Sequence, residues 1–188
     1  QMLSKKSKIY VAGHSGMVGT AVMRELKKNN YTNVIGLAFE DLDLTKQNDV
    51  EVFFKKNKPD YVINAAGKVG GISANKNFPY EFLIQNLRIQ NNLIESALNN
   101  DVKKFVFIGT SSMYPRNCPQ PLKEEYLLTG EFEPTNEAYS IAKVAGLKLC
   151  EAISKQFGKN FVTLMPSNLY GTNDHFDLEN SHVIQALI

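Results

Sequence analysis

Tyr139-Ser140-Ile141-Ala142-Lys143 sets a phenol and an ammonium four residues apart, the spacing that puts two side chains on one face of a helix. An ammonium beside a phenol favours the phenolate and lowers its pKa from about 10 towards the working range. Such a tyrosine can give a proton to a carbonyl oxygen as a hydride arrives at the carbon. Pairs like this are also common on helix surfaces, so the surroundings decide. Upstream, Thr110, Ser111 and Ser112 are three hydroxyls directly after an apolar run. A hydroxyl at the end of a buried parallel strand is well placed for chemistry, because α/β sites form at the carboxyl edge of the sheet. Near the start, Gly13-His14-Ser15-Gly16-Met17-Val18-Gly19 reads G-x-x-G-x-x-G. Glycines there allow a tight turn and close backbone approach to a pyrophosphate on a helix N-terminus, although three glycines in a turn are as easily structural.

The elements that must position these residues alternate along the chain. Apolar runs at 8–13, 33–38, 60–66, 103–110 and 160–168 read as strands. Helical spacing marks 17–30, 47–57, 80–100 and 136–158, the last closed by Gly158. Strands apolar throughout, each followed by a helix, predict an α/β fold: a Rossmann-like, doubly wound parallel sheet covered on both faces. The glycine turn then falls between the first strand and first helix of a βαβ unit, which favours the binding reading. One long irregular stretch, 111–135, is rich in Pro, Glu and Asn, and a loop of that length is more often functional than accidental.

Composition narrows the function classes. A length of 188 residues at 43% hydrophobic content suits one core, and a net charge of +2 gives no electrostatic footprint for nucleic acid or an acidic membrane. The basic start around Lys5, Lys6 and Lys8 has no apolar segment typical of a signal peptide, and no run is long enough for a membrane span. Cys118 and Cys150 have no metal-ligand spacing, so no metal is expected, and they point to a reducing, cytoplasmic setting. The last residues, 181–188, stop inside an amphipathic pattern without a cap, as though the chain continues. The second strand carries no acid until Glu40, where an NAD-binding fold would hold the ribose hydroxyls. That leans towards NADP(H), with NAD(H) left open because no arginine follows to grip a 2′-phosphate. Asp43 and Leu44 are candidates for the adenine edge, and an ordinary helix-start turn is the plainer alternative.

Together with Asn64-Ala65-Ala66-Gly67, these motifs resemble the extended short-chain dehydrogenase/reductases. Within them the chain is most similar to the GDP-L-fucose synthase family of GDP-4-keto-6-deoxymannose epimerase-reductases. The more specific stretches are "GKVGGI" (67–72), "EPTNEAYSIAKVAG" (133–146), "MPSNLYG" (165–171) and "NSHVIQAL" (180–187). The resemblance covers nearly the whole chain and implies a coenzyme-binding domain at 1–170. The start of a substrate domain would follow at 171–188, with most of that domain absent. By position it implies that Gly13, His14, Ser15, Gly16, Met17, Val18 and Gly19 hold the coenzyme pyrophosphate, with Ala65 and Ala66 beside them. Ile108, Gly109, Thr110 and Ser111 would line the nicotinamide. Thr110 would hydrogen-bond the sugar 4-keto oxygen, Tyr139 would donate the proton, and Lys143 would hold the nicotinamide ribose. Pro166, Asn168 and Leu169 would contact the carboxamide, and Asn168 would also touch the sugar. His182, at the coenzyme and substrate, matches an epimerisation acid/base. A homodimer through the two long helices is implied as well.

Departures from the family pattern refine this. Ser112 occupies the position of a cysteine that pairs with the histidine for epimerisation at carbons 3 and 5. A thiol titrates near about 8.5, and a serine hydroxyl is a far poorer acid. Ser15, Leu37 and Phe39 stand where arginines of the family could meet the 2′-phosphate. The expectation is an NADPH-dependent 4-reductase of a GDP-linked 4-keto-6-deoxy sugar, hexose or heptose, ahead of a bifunctional epimerase-reductase. A non-catalytic coenzyme-binding regulator and an NAD-dependent 4-epimerase are the readings of other classes.

Overall fold

The computed structural model describes residues 4–174. Five strands, β1 (Ile9–Ala12), β2 (Val34–Ile35), β3 (Tyr61–Asn64), β4 (Lys104–Ile108) and β5 (Asn160–Leu164), form one sheet in the order β2-β1-β3-β4-β5, and every pairing is parallel. The order reverses between β1 and β3, which opens a crevice at their carboxyl ends. Register aligns that edge: Ala12 faces Asn64, Asn64 faces Phe107, and Phe107 faces Thr163. Gly13 and Ala65 therefore leave the sheet beside Ile108 and Leu164, the paired last residues of β4 and β5. At the opposite edge Asp60 accepts the Lys8 N–H at 2.9 Å and pairs with Lys103 at 2.7 Å, tying the starts of β1, β3 and β4.

The helices are α1 (Met17–Lys28), α2 (Gln47–Asn57), α3 (Ile72–Asn77), α4 (Pro79–Asn99) and α5 (Glu137–Phe157). Proline opens α4, where a missing N–H costs nothing, and Gly158 closes α5 in the left-handed conformation at φ 64°. The core lies between the sheet and α2, α4 and α5: Tyr10, Val62, Phe105, Phe107 and Phe161 pack on Phe54, Leu93, Ile94, Cys150 and Ile153. Along β3 and β4 the alternate residues, Tyr61, Ile63, Val106 and Ile108, are only half-buried. Both cysteines are free. Among the described residues no helix is long and apolar enough to cross a membrane, and no His, Cys, Asp or Glu cluster is arranged for a metal.

The structure corrects several expected boundaries. β2 stops at Ile35 rather than 38: the His14 ring fills the space beside Gly36, Leu37 turns into the core, and the Asp41 and Leu42 N–H groups close a turn on the Ala38 carbonyl. β4 stops at Ile108 because Gly109 donates to Leu164 and Thr110 caps a 3-10 turn at Ser111–Met113. β5 ends at Leu164, two residues before Pro166. Helix α3 was not expected; Asn75 braces it by donating to the Gly70 and Gly71 carbonyls at 2.8 and 3.0 Å.

Candidate active site

The glycine turn is shaped by what its residues lack. Gly13 has φ 74°, and a Cβ there would lie 2.7 Å from the Ala65 carbonyl carbon and the Ala66 α-carbon. A Cβ on Gly19 would run into the Gly13 carbonyl, so α1 packs directly on the turn. Gly16 precedes α1 without a side-chain cap, and no acid occupies the first turn, leaving helix-start N–H groups and the positive end of the helix dipole for an anion. His14 lies beneath Gly36 with a buried Nδ1 that has no partner. Asn64 accepts the Ala66 N–H at 3.1 Å and Ala65 donates to Ala12 at 3.0 Å, holding the end of β3 beside the turn. This cradle fits a dinucleotide pyrophosphate.

Towards the end of β2, Asp43 accepts from the Thr45 N–H at 2.9 Å and the Thr45 hydroxyl at 2.7 Å. The Thr45 hydroxyl bond holds its carboxyl below the usual range, and the side chain is engaged within its own turn. Asn92 of α4 fixes that turn by donating to the Leu44 carbonyl at 2.9 Å. Phe39 is 69% exposed at the apex of the loop. Leu169, Tyr170 and Gly171 line one wall of a cavity of about 490 Å³ whose other wall is α1 from Met17 to Leu26, so the structure brings Leu169 beside Met17 and Val18. Pro166 is half-buried and Asn168 exposed at the carboxyl end of β5. His182 lies outside the described residues.

The catalytic candidates gather where β4 meets α5. Lys143 is 5% exposed, and its ammonium donates to the Ile108 carbonyl at 2.9 Å. It lies 4.8 Å from the Phe107 ring centroid and 5.8 Å from that of Tyr139, one helical turn earlier. The 3-10 turn carrying Ser111 and Ser112 packs on α5, with Met113 against Val144 and Leu147. The Ser112 N–H and hydroxyl both donate to Thr110 Oγ1, each at 3.4 Å. The Thr110 oxygen accepts from Ser112 in this arrangement, which leaves its own hydroxyl proton available to a ligand. Ser112 has no imidazole or carboxylate among its hydrogen-bond partners in the described residues.

One expectation is reversed here. The Tyr139–Lys143 spacing implied a lowered phenol pKa, whereas burial pushes Tyr139 up to about 12 and brings Lys143 down to about 8. The lysine points at a carbonyl rather than at the phenol oxygen, so the free protein holds Tyr139 as a neutral acid. Three residues of α4 were missed by sequence reasoning. Phe82 sets its ring edge-on to Tyr139 with centroids 6.2 Å apart, Asn86 grips the backbone of Lys68, and Gln90 donates to the Ala142 carbonyl at 2.6 Å. Their one signal is two amides at four-residue spacing on the apolar face of a long helix.

A parallel sheet with a glycine cradle at its reversal point and a Tyr-x-x-x-Lys helix over the neighbouring strand end defines a dinucleotide-binding fold of the short-chain dehydrogenase/reductase type. Residues 9–188 match the NAD dependent epimerase/dehydratase family, and the chain belongs to it. It is 52% identical over 187 residues to GDP-L-fucose synthase 1 of Arabidopsis thaliana, covering all of this chain and 58% of the relative. It is 45% identical over 183 residues to the GDP-L-fucose synthase of Escherichia coli K12, covering 97% of this chain and 57% of that protein. Among solved structures it resembles a GDP-mannoheptose C4 reductase from Campylobacter jejuni with NADP bound, at TM-score 0.94 and 44% identity, over 99% of this chain and 55% of that one. The chain therefore spans a little over half the length of the relatives it matches.

Proposed function

We propose that residues 1–170 form the coenzyme-binding domain of an NADPH-dependent 4-reductase acting on a GDP-linked 4-keto-6-deoxy hexose or heptose, and that 171–188 begin its substrate-binding region. The observation that carries this most is that α5, with the buried phenol of Tyr139, packs on the 3-10 turn that Thr110 caps at the end of β4. When bound, NADPH supplies the hydride that adds to sugar carbon 4. Thr110 donates to the 4-keto oxygen and orients it, and Tyr139 delivers the proton as the alkoxide develops. Lys143, anchored on Ile108, presents its remaining N–H donors to the nicotinamide ribose and offsets charge as the phenol gives up its proton. The glycine cradle takes the pyrophosphate, with His14 and Ser15 at its rim. Pro166, Asn168 and Leu169 would border the nicotinamide end and Asn168 would also reach the sugar, while His182 keeps the acid/base role that the resemblance implies.

The relatives named as GDP-L-fucose synthases and the NADP-bound GDP-mannoheptose C4 reductase support NADPH and a GDP-sugar. Ser112 favours reduction over 3,5-epimerisation, since a serine hydroxyl is a far poorer acid than a thiol and here bonds to Thr110, with no base among its partners in the described residues. The free cysteines accord with a reducing cytoplasmic setting, and a homodimer would form through the two long helices, as the resemblance implies. Mixing full-length protein with NADPH and a GDP-4-keto-6-deoxy sugar in a single turnover tests the reading. Stoichiometric loss of absorbance at the NADPH band, slowed roughly 10²–10⁴-fold in Tyr139→Phe, is the expected result. Coenzyme binding without oxidation would contradict the reductase reading and favour the regulator.

A further inference from the structure

Given the coenzyme reading above, we infer that the loop after β2 does not select for the coenzyme's 2′-phosphate, and that Phe39 and Glu40 let the site take NADH as well as NADPH. Dinucleotide folds read this position with the residues that follow the second strand. There a carboxylate accepts from the ribose 2′-hydroxyl, or an arginine grips the 2′-phosphate. The structure holds those residues in place. A Cβ on Gly36 would enter the His14 ring, so the loop starts against the glycine turn. Leu37 packs on the core, Leu42 is buried in it, and the Asp41 and Leu42 N–H groups donate to the Ala38 carbonyl at 3.1 and 3.0 Å. Phe39, Glu40 and Asp41 are left exposed at the apex.

Charge on this loop is of one sign. Between Gly13 and Thr45 the lysines and arginines are Arg24, Lys27 and Lys28, all in the second half of α1. Arg24 lies about 10 Å along the helix from Met17, and the two lysines are in its last turn, away from the glycine turn. The next cation, Lys46, acts on Asp43, whose carboxylate is already engaged by Thr45. The Glu40 and Asp41 side chains have no hydrogen bond or ion pair among the described residues. A 2′-phosphate here meets a phenyl ring and two carboxylates, and lacks the charge-assisted fork that selects NADPH. Because the loop is exposed, the repulsion is screened and NADPH is still tolerated. A 2′-hydroxyl is a neutral donor, and Glu40, about 20 residues beyond Gly19, is an unengaged acceptor for it. Phe39 offers either coenzyme an apolar face beside the adenosine.

Binding of the two coenzymes, compared in one buffer, reads the loop directly. Full-length wild type, Phe39→Arg and Glu40→Gln are titrated by calorimetry with NADPH and with NADH. The wild-type NADH Kd is expected to lie no more than about fivefold above that of NADPH. Phe39→Arg supplies the missing guanidinium, so its NADPH Kd should fall roughly tenfold while the NADH Kd stays within about twofold. Glu40→Gln removes the charged acceptor, so the NADH Kd should rise about threefold or more without a matching loss for NADPH. A wider wild-type gap, a Phe39→Arg that moves both Kd values alike, or a Glu40→Gln that leaves NADH binding unmoved would each overturn the inference. The wild-type ratio carries the test if either variant does not fold. Wild type that binds neither coenzyme would instead overturn the coenzyme reading on which it rests.

Discussion

The turn between β1 and α1 and the junction of β4 with α5 are built on opposite principles. The first is made of backbone: Gly13 and Gly19 leave no space for a Cβ, and the groups offered to a ligand are main-chain N–H donors. The second is made of buried polar side chains, Lys143, Asn86 and Gln90, each tied to a specific carbonyl or N–H. A backbone cradle recognises a pyrophosphate present in any dinucleotide and fails by collision. A side-chain constellation is specific to one reaction and fails when a hydrogen bond is lost, often with the fold intact. Substitutions in the two regions should accordingly break different measurements.

The largest effect is expected from Tyr139→Phe, which removes the proposed proton donor and keeps the ring against Phe82. The turnover number should fall by roughly 10²–10⁴-fold, with NADPH affinity and Tm unchanged, measured by stopped-flow absorbance and calorimetry. Thr110→Val should follow, lowering kcat by roughly 10²–10³-fold as one carbonyl-orienting donor disappears, and Thr110→Ser should restore most of it. Gly19→Ala makes the contrast. Its Cβ meets the Gly13 carbonyl, so saturable NADPH binding and Tm should both fall, whereas the two catalytic variants leave both in place.

The pH response is a smaller effect with a defined sign. Lys143 is brought from 10.5 to about 8 by burial, so its ammonium is lost as pH rises through about 8. The value of kcat/KM should therefore drop on the alkaline side, tenfold per unit well above that point, with no Tyr139 titration below about 12. The stability contribution runs the other way: between about 8 and 10.5 the unfolded chain binds the extra proton, so Lys143 by itself makes the fold more stable with rising pH across that window. A kcat/KM profile flat to pH 10 would contradict the lowered Lys143 pKa or its need to be charged. Ser112→Cys, the mildest change, should leave the reduction rate within about threefold while supplying a thiol that can exchange a carbon-bound proton.

The strands and long helices were legible because apolar runs and helical spacing are local signals, and α1, α2, α4 and α5 fall within about two residues of their expected ends. β2 was overextended because Gly36, Leu37 and Ala38 continue the apolar run, and the His14 ring that diverts the backbone there comes from another segment. α3 is six residues between glycines and leaves too little periodicity to read. At the site, the glycine turn, Thr110, Tyr139 and Lys143 could be named from spacing. Their protonation could not, because spacing does not reveal that α4 and β4 bury Lys143 and turn it to a carbonyl. Asn86 and Gln90 were invisible for the same reason: an amide on a helix becomes informative only when its distant backbone partner is known.

The central claim, reduction at carbon 4 without exchange at carbons 3 and 5, is tested most directly by running the full-length protein to completion with NADPH and a GDP-4-keto-6-deoxy sugar in D₂O. Nuclear magnetic resonance of the product then locates the label. The account predicts a reduced sugar with protium at carbons 3 and 5 and unchanged configuration there. Deuterium at both positions with inverted configuration would contradict it, and would mean that epimerisation proceeds with Ser112 in place.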